Sequence, residues 1–348
     1  MEKTNRNYGI DLLRIVSMMM VTLLHVFGQG GILYTAVGIN SKTVWFFETA
    51  AFCAANCYAV ISGYVGVTSK HKYTNIIMLY LQVVFYTVLI ALGYSFYKPE
   101  VLSEGVFFRA FFPFIYNQYW YFTAYFCLFF FIPFINKMLV SLSKREIKTL
   151  LLTVLLLFTV LPTMFHCDVF NLNLGYSALW IIALYVLGGC LKLLDFSRIG
   201  KKTAFGVYIL CVVLSWLNKF YIPYPKDSFF VSYISPTMLI AAASLVIGFS
   251  KINAGKYAAK IISFFSPLAF GVFLIHTHPL IWHNWLFNRY VSFAFYSPVK
   301  MIGMSILTAL AIWFVCSMID LVRHILFGIL KIKKIFMNIE SKIIVEKK

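Results

Sequence analysis

Three ionisable residues in the first apolar segment of the chain have types and spacing that could support chemistry. They are Asp11, Arg14 and His25. At 100° per residue, Arg14 and His25 lie about 20° apart on a helix, so the three side chains share a face about 16 Å long. Charged side chains inside a membrane helix are costly and usually functional. The shared face makes these residues functional candidates, and His25 could act as a general base. The alternative is that Arg14 reaches the lipid headgroups and His25 caps a loop.

A carboxyl group in the second apolar segment is predicted at the same depth as His25. Glu48 lies about 6 Å from the outer end of its helix, as does His25. The two side chains could therefore meet, with Glu48 orienting the imidazole and stabilising its protonated form. The alternative is a glutamate that reaches back to interfacial water.

Three further histidines lie at the end of the ninth apolar segment. Of these, His276 lies at a depth similar to that of His25, and His278 and His283 come after it. A metal site is disfavoured because His276 and His278 would point about 200° apart on a helix. No cysteine or acidic ligand adjoins them either. Trp120 and Tyr121 open the fourth segment at the outer boundary, where such residues often form only an interfacial belt.

The elements that must position these residues are membrane helices. Of 348 residues, 61% are hydrophobic and 12% are charged, which excludes an ordinary soluble enzyme or a disordered chain. The mean hydropathy is +0.83. Runs of about 20 apolar residues can cross the bilayer, and they predict an all-α polytopic membrane protein. The ten predicted spans are 9–28, 44–66, 75–97, 119–139, 148–166, 176–194, 204–222, 229–249, 261–282 and 303–328.

The positive charge of the chain predicts its orientation. If the N-terminus is inside, 23 of the 30 Lys and Arg residues fall on the inner side and seven on the outer side. Both termini are therefore expected in the cytoplasm, and the net charge of +18 reflects membrane orientation rather than nucleic-acid binding. We expect a transmembrane domain over 1–335 and a basic cytoplasmic tail over 336–348. The seven cysteines show no disulfide or zinc spacing.

These features resemble the acyltransferase-3 family of integral membrane acyltransferases, which have about ten transmembrane helices. The family pattern is an acidic residue, a basic residue and, after ten further positions, a histidine, as at Asp11, Arg14 and His25. Three weaker motifs are also similar. They are Ser62-Gly63-Tyr64, for the family's Ser-Gly-Phe/Tyr, Trp120-Tyr121-Phe122, for Trp-Phe-Leu, and Phe273-Leu274-Ile275-His276, for Tyr-Leu-x-His.

The resemblance implies transfer of an acyl group, mostly acetyl, to surface carbohydrates, as in polysaccharide O-acetylation at the cell envelope. The donor would be acetyl-CoA, and no metal is expected. Lys70 and Lys72 stand where the family commonly has an arginine after the Ser-Gly motif. The residues expected to bind acyl-CoA are Arg14, Asp11, Ser62, Lys70 and Lys72. Those expected to line the acceptor side are Trp120, Tyr121 and His276.

The expected reaction takes place within the cytoplasmic membrane, with His25 and Glu48 as the catalytic residues. His25 would deprotonate the acceptor hydroxyl or become transiently acylated. The partners are the lipid bilayer, acyl-CoA and a carbohydrate, with no nucleic acid, and the oligomeric state stays open. The alternatives are a polysaccharide flippase or polymerase, or a small-solute transporter. A flippase or polymerase predicts inverted repeats or a long external loop, neither of which is found in the sequence. A transporter predicts helices broken by Gly or Pro in symmetric positions, whereas the prolines here mostly mark the ends of spans.

Overall fold

The chain forms a bundle of apolar helices. The computed structural model describes residues 6–222 and 230–345, and these two stretches contain helices and no strand. Ten helices, α1–α10, occupy the positions of the ten predicted spans, and one more follows them. The helices are α1 (Tyr8–Phe27), α2 (Gly38–Gly66), α3 (Tyr73–Tyr97), α4 (Trp120–Ser141), α5 (Lys144–Phe165), α6 (Ala178–Leu193), α7 (Lys201–Phe220), α8 (Pro236–Ser250), α9 (Lys256–His276), α10 (Pro298–Ile329) and α11 (Ile332–Val345).

The all-α polytopic prediction is confirmed. Eight of these helices are long and apolar enough to cross a membrane, while α6 and α8 are shorter and equally apolar. The predicted start of the eighth span, residue 229, lies outside the described residues. Large apolar side chains such as Phe131, Phe134 and Leu307 are exposed on the outside of the bundle. Such a surface is favourable in lipid, where helices satisfy their own backbone hydrogen bonds.

Local sequence signals define where several helices begin. The side chain of Asn7 accepts a hydrogen bond from the backbone N–H of Ile10 and caps α1. Ser143 and Glu146 form a reciprocal capping box at α5. Ser235 caps α8, whose first residue is a proline. These side chains satisfy backbone donors that a helix start otherwise leaves free.

Two of the long helices that form the site are interrupted. Helix α2 is broken at Cys53, between Gly38–Phe52 and Ala54–Gly66. Helix α9 contains a 3₁₀ turn at Ser266–Leu268, where a proline cannot donate a backbone hydrogen bond. Its second part, Ala269–His276, is therefore only eight residues long. The predicted span 261–282 was wrong at its end, because the helix stops at His276.

Glycines allow α2 and α6 to pack at backbone contact. A Cβ atom on Gly63 would lie 1.9 Å from the carbonyl oxygen of Tyr185, and one on Gly188 would lie 2.0 Å from that of Val60. Such close approach of small residues is a common way to associate membrane helices. The glycine of the Ser62-Gly63-Tyr64 motif is thus explained by helix packing.

The two ends of the bundle are identified by contacts between loops. At one end, the side chain of Asn7 donates to the carbonyl of Ser250, and Glu340 of α11 accepts hydrogen bonds at the start of α3. We call this the basic end. At the opposite end, the backbone of Asn288 donates to Gln29. Helix α11 contains the predicted domain boundary after residue 335. Of the predicted tail, residues 346–348 lie outside the described part of the chain.

A buried ion pair lies in α10. The guanidinium of Arg323 binds both carboxylate oxygens of Asp320, each at 2.8 Å. Tyr86 and Gln82 of α3 donate to the same carboxylate. On α9, Gly271 leaves room for it, because a Cβ there would lie 2.1 Å from Cγ of Asp320. This network joins α3, α9 and α10 and supplies the partners that a buried charge requires.

Candidate active site

The centre of the site is a contact between two histidines from the first and ninth helices. Nδ1 of His25 lies 2.8 Å from Nε2 of His276. Nδ1 of His276 lies 2.5 Å from the carbonyl oxygen of Val272, one turn earlier in α9. The indole of Trp282 stands edge-on to His25, with ring centroids 4.6 Å apart. The imidazole of His25 is thus held on two sides.

This chain of contacts determines where the protons are. The carbonyl of Val272 can only accept, so Nδ1 of His276 carries a hydrogen and, in the neutral ring, Nε2 is an acceptor. Nδ1 of His25 therefore donates to His276, and the lone pair of His25 lies on Nε2. No described residue forms a hydrogen bond with that atom. Its lone pair is available to accept a proton or to attack an electrophile.

His25 opens onto a cavity of about 280 Å³ with mostly aromatic walls. The rings of Trp120 and Tyr233 are stacked at 6.0 Å, and the ring of Tyr176 lies 4.6 Å from Trp120. Gln118 and His283 add polar groups to the wall. The predicted acceptor residue Trp120 therefore lies in the same cavity as His25. Apolar walls with a few polar groups are typical of small-molecule sites.

Beside this cavity, His278 is a buried neutral group. Its Nδ1 accepts a hydrogen bond from the backbone of Leu280, and its Nε2 lies 3.3 Å from the amide of Gln118. Burial lowers the pKa of His278 to about 3. His278 therefore positions Gln118 rather than carrying charge, and the described residues include no group of three or more potential metal ligands.

Glu48 lies near the cavity but is not hydrogen-bonded to His25. The position that it would occupy, at Nδ1 of His25, is taken by His276. Glu48 is buried, and its Oε2 has no hydrogen-bond partner within the described residues. Burial raises the pKa of Tyr176 in the cavity wall, and the charge of Glu48 adds to that increase. The predicted pairing of His25 with Glu48 is therefore replaced by a pair of histidines.

The acidic and basic residues of the first helix form an ion-pair cluster. Arg14 Nη1 lies 2.6 Å from Oδ1 of Asp11, and Nε of Arg6 lies 2.5 Å from Oδ2. The hydroxyl of Ser266, at the break in α9, also donates to Asp11. Asp11 is buried, whereas about a third of the Arg14 side chain is exposed. Asp11 thus holds Arg14 while leaving part of its guanidinium accessible.

Aromatic side chains connect the Arg14 cluster with the cavity. The hydroxyl of Tyr58 donates to the carbonyl oxygen of Arg14. The ring of Tyr121 lies 6.4 Å from that of Tyr58 and 6.4 Å from that of Phe273, which lines the cavity. The buried hydroxyl of Tyr121 has no partner among the described residues. Tyr121 therefore lies between the two clusters rather than in the cavity wall.

The other residues predicted to bind acyl-CoA lie away from the Arg14 cluster. The hydroxyl of Ser62 donates to the carbonyl of Tyr58, one turn earlier in α2. Lys70 and Lys72 line a separate cavity at the basic end, whose wall does not include Arg14. The structure thus brings Asp11 and Arg14 together, and His25 and His276 together, but leaves the two lysines apart.

The sequence analysis overlooked Asp320, an ionisable residue inside α10. Asp320 and Arg323 repeat the Asp-Leu-x-Arg spacing of Asp11 and Arg14. That repeat was a readable signal for a buried ion pair, because residues three apart share a helix face. The role of His276 as the partner of His25 also required the fold, since 251 positions separate them.

A known protein family matches most of the chain. The model of an acyltransferase-3 family, described as "Acyltransferase domain", matches residues 7–319. The matched region contains both histidines of the site and the Asp11–Arg14 ion pair, and it ends before α11. No curated protein and no solved structure matches the chain.

Proposed function

The chain belongs to the acyltransferase-3 family, and we propose that this membrane acyltransferase moves an acetyl group from acetyl-CoA to a hydroxyl of an extracytoplasmic carbohydrate. Its place would be the cytoplasmic membrane, with the basic end inside. The observation that carries the proposal is the hydrogen-bonded chain from Val272 through His276 to His25. These hydrogen bonds leave the lone pair on Nε2 of His25, which opens onto the aromatic cavity.

Arg14 is the proposed contact for the phosphates of acyl-CoA. Its guanidinium has N–H groups besides the one that binds Asp11, and the planar geometry of arginine suits phosphate. Arg14 and His25 are about 16 Å apart along α1. The extended pantetheine arm of acyl-CoA can bridge such a distance and bring its thioester toward the cavity. Tyr58 and Tyr121 would line that route.

At the reacting centre, Nε2 of His25 takes the proton of the acceptor hydroxyl, and the hydroxyl oxygen forms a bond to the thioester carbonyl carbon. The carbon–sulfur bond then breaks, and the CoA thiolate receives the proton from His25. In the covalent route, Nε2 first attacks the thioester carbonyl carbon, the carbon–sulfur bond breaks and CoA leaves as the thiolate. The acceptor hydroxyl then attacks the same carbon, the bond to Nε2 breaks, and the hydroxyl proton passes to the CoA thiolate. In both routes the neutral His276 keeps Nδ1 of His25 hydrogen-bonded throughout.

The cavity walls support a carbohydrate acceptor. Trp120 and Tyr233 offer flat faces, and the C–H face of a sugar ring is apolar enough to pack on them. Gln118 and His283 are available for hydroxyl groups. Hydrogen bonds to hydroxyl groups give a site most of its power to select a substrate.

The test is a transfer assay with membranes that contain either the wild type or the His25→Ala variant. Labelled acetyl-CoA and host glycan are supplied, and label is followed into the glycan fraction. Loss of a general base should lower the rate by about 10²–10⁴-fold. A Tyr257→Ala variant is the matched control, because this exposed ring lies on α9 outside the site. Equal transfer by wild type and His25→Ala would contradict the proposal.

A further inference from the structure

Helix α11 is fixed to the membrane domain by one glutamate. The Oε1 atom of Glu340 accepts the backbone N–H of Tyr73 at 2.7 Å. Its Oε2 accepts both the backbone N–H and the hydroxyl of Thr74, at 3.2 and 2.5 Å. Glu340 thereby caps α3 from another part of the chain. The start of a helix attracts negative charge, which makes this a favourable contact.

The pKa of Glu340 agrees with a carboxylate that stays charged. Burial alone would raise the pKa, but the hydrogen bonds from Thr74 and Tyr73 and the nearby Lys72 outweigh it and lower the pKa. Both oxygens are engaged at neutral pH, so the position of α11 on α3 is well defined.

The same face of α11 completes a basic cavity. Lys333, Met337 and Glu340 are spaced by four and three residues, so they lie on one face of the helix. Lys333 and Met337 enclose, with the loop before α3, a cavity of about 280 Å³. The loop contributes Lys70 and Lys72, and the first turn of α3 contributes Thr74 and Asn75.

The wall of this cavity is basic. Its wall contains three lysines and no acidic residue. None of the three lysines forms an ion pair with a described residue, and the carboxylate of Glu340 is already used on α3. Three ammonium groups close together repel one another unless an anion lies between them. Lysine is a common ligand for phosphate groups.

We propose that α11 completes a phosphate site for the nucleotide end of the CoA donor, with Lys333 acting together with Lys70 and Lys72. The inference rests on the proposed function, because that function supplies a donor with several phosphates at this end of the protein. It also goes beyond the family, because α11 begins after the region that the family model matches. The 3′-phosphate on the ribose of CoA is the group that three lysines would recognise.

The experiment measures binding rather than turnover. Purified protein in nanodiscs of neutral lipid is titrated with CoA and with dephospho-CoA, which lacks the 3′-phosphate. The variants are Lys333→Gln and the matched control Lys334→Gln, which removes the same charge from the adjacent position outside the cavity wall. We expect Lys333→Gln to weaken CoA binding about tenfold, which corresponds to 1.4 kcal/mol. It should leave dephospho-CoA binding unchanged, and Lys334→Gln should affect neither ligand.

Other outcomes overturn the inference. Equal effects of the two lysine variants would mean a general charge effect of α11. An equal effect of Lys333→Gln on both ligands would place the 3′-phosphate elsewhere. If CoA binding depended on Lys333 only in anionic nanodiscs, the site would hold a lipid headgroup instead. Because binding needs no acceptor, a failure of acetyl transfer with normal CoA binding would count against the proposed function alone.

Discussion

At the scale of single residues, the proposed base His25 has a second histidine as its partner instead of a carboxylate. A carboxylate partner would stabilise the imidazolium, but His276 is an uncharged acceptor whose own proton is held by Val272. In a low-dielectric bundle, two neutral rings avoid the cost of burying an additional charge. His276 is therefore a positioning residue that keeps the lone pair of His25 on Nε2.

Replacement of His276 tests this role. In His276→Leu the Nδ1–H of His25 loses its acceptor, and we expect kcat to fall by about 10²-fold, at the lower end of the range for acid–base catalysis. In His276→Gln an amide oxygen can take the place of Nε2, so more of kcat should be retained. KM for acetyl-CoA should stay the same in both, because His276 is far from Arg14. The measurement is steady-state transfer with both substrates varied.

Loss of kcat to the same extent in the Leu and Gln variants would refute the hydrogen-bond argument. Thermal unfolding of each variant is the control, since His276 is buried and a misfolded protein would also lose activity.

At the scale of elements, broken helices and glycine contacts bring the site together. The 3₁₀ turn in α9 precedes the short segment Ala269–His276, whose last residue contacts α1. Gly271 allows the Asp320 carboxylate to lie against the same short segment. Helix α9 contacts α1 at this turn, through Ser266 and Asp11, and at its end, through His276 and His25. Both clusters of the site are thus connected by these two helices.

The glycine contact between α2 and α6 predicts a large stability effect from one methyl group. In Gly63→Ala the new Cβ would meet the carbonyl of Tyr185, so the helices must separate at a cost of about 1–3 kcal/mol. Gly303→Ala is the matched control, because a Cβ there meets nothing within 4 Å. Thermal unfolding in detergent should show a lower Tm for the first variant and no decrease for the second. Equal Tm values would mean that α2 and α6 can shift freely.

At the scale of the whole molecule, the distribution of charge predicts one orientation in the membrane. The basic end contains Lys70, Lys72 and Lys333, whereas Lys98 and Arg289 lie at the opposite end. The excess of Lys and Arg on one side is the signal that usually fixes topology.

Cysteine labelling tests this orientation. In a background where the exposed Cys127 and Cys167 are replaced by serine, Lys98→Cys should react with an impermeant maleimide in intact cells. Lys333→Cys should react only after the cells are permeabilised. The reverse pattern would place the donor site outside and would contradict both the topology and the assignment of the donor to the basic end.

The sequence alone determined the class of protein and indicated the residues of the candidate site. Hydrophobic length and charge alternation specified ten helices, because a bilayer imposes a minimum span on every segment. The spacing of Asp11, Arg14 and His25 was readable because helix geometry is local and regular.

Only the tertiary structure decided which groups meet. His276 rather than Glu48 contacts His25, because depth in the membrane does not fix the rotation of one helix about its neighbour. Lys333 joins Lys70 and Lys72 because Glu340 docks α11 on α3. Those contacts connect residues more than 240 positions apart, and no periodicity in the sequence encodes them. These contacts form because helix breaks, glycines and capping side chains determine how the helices pack together.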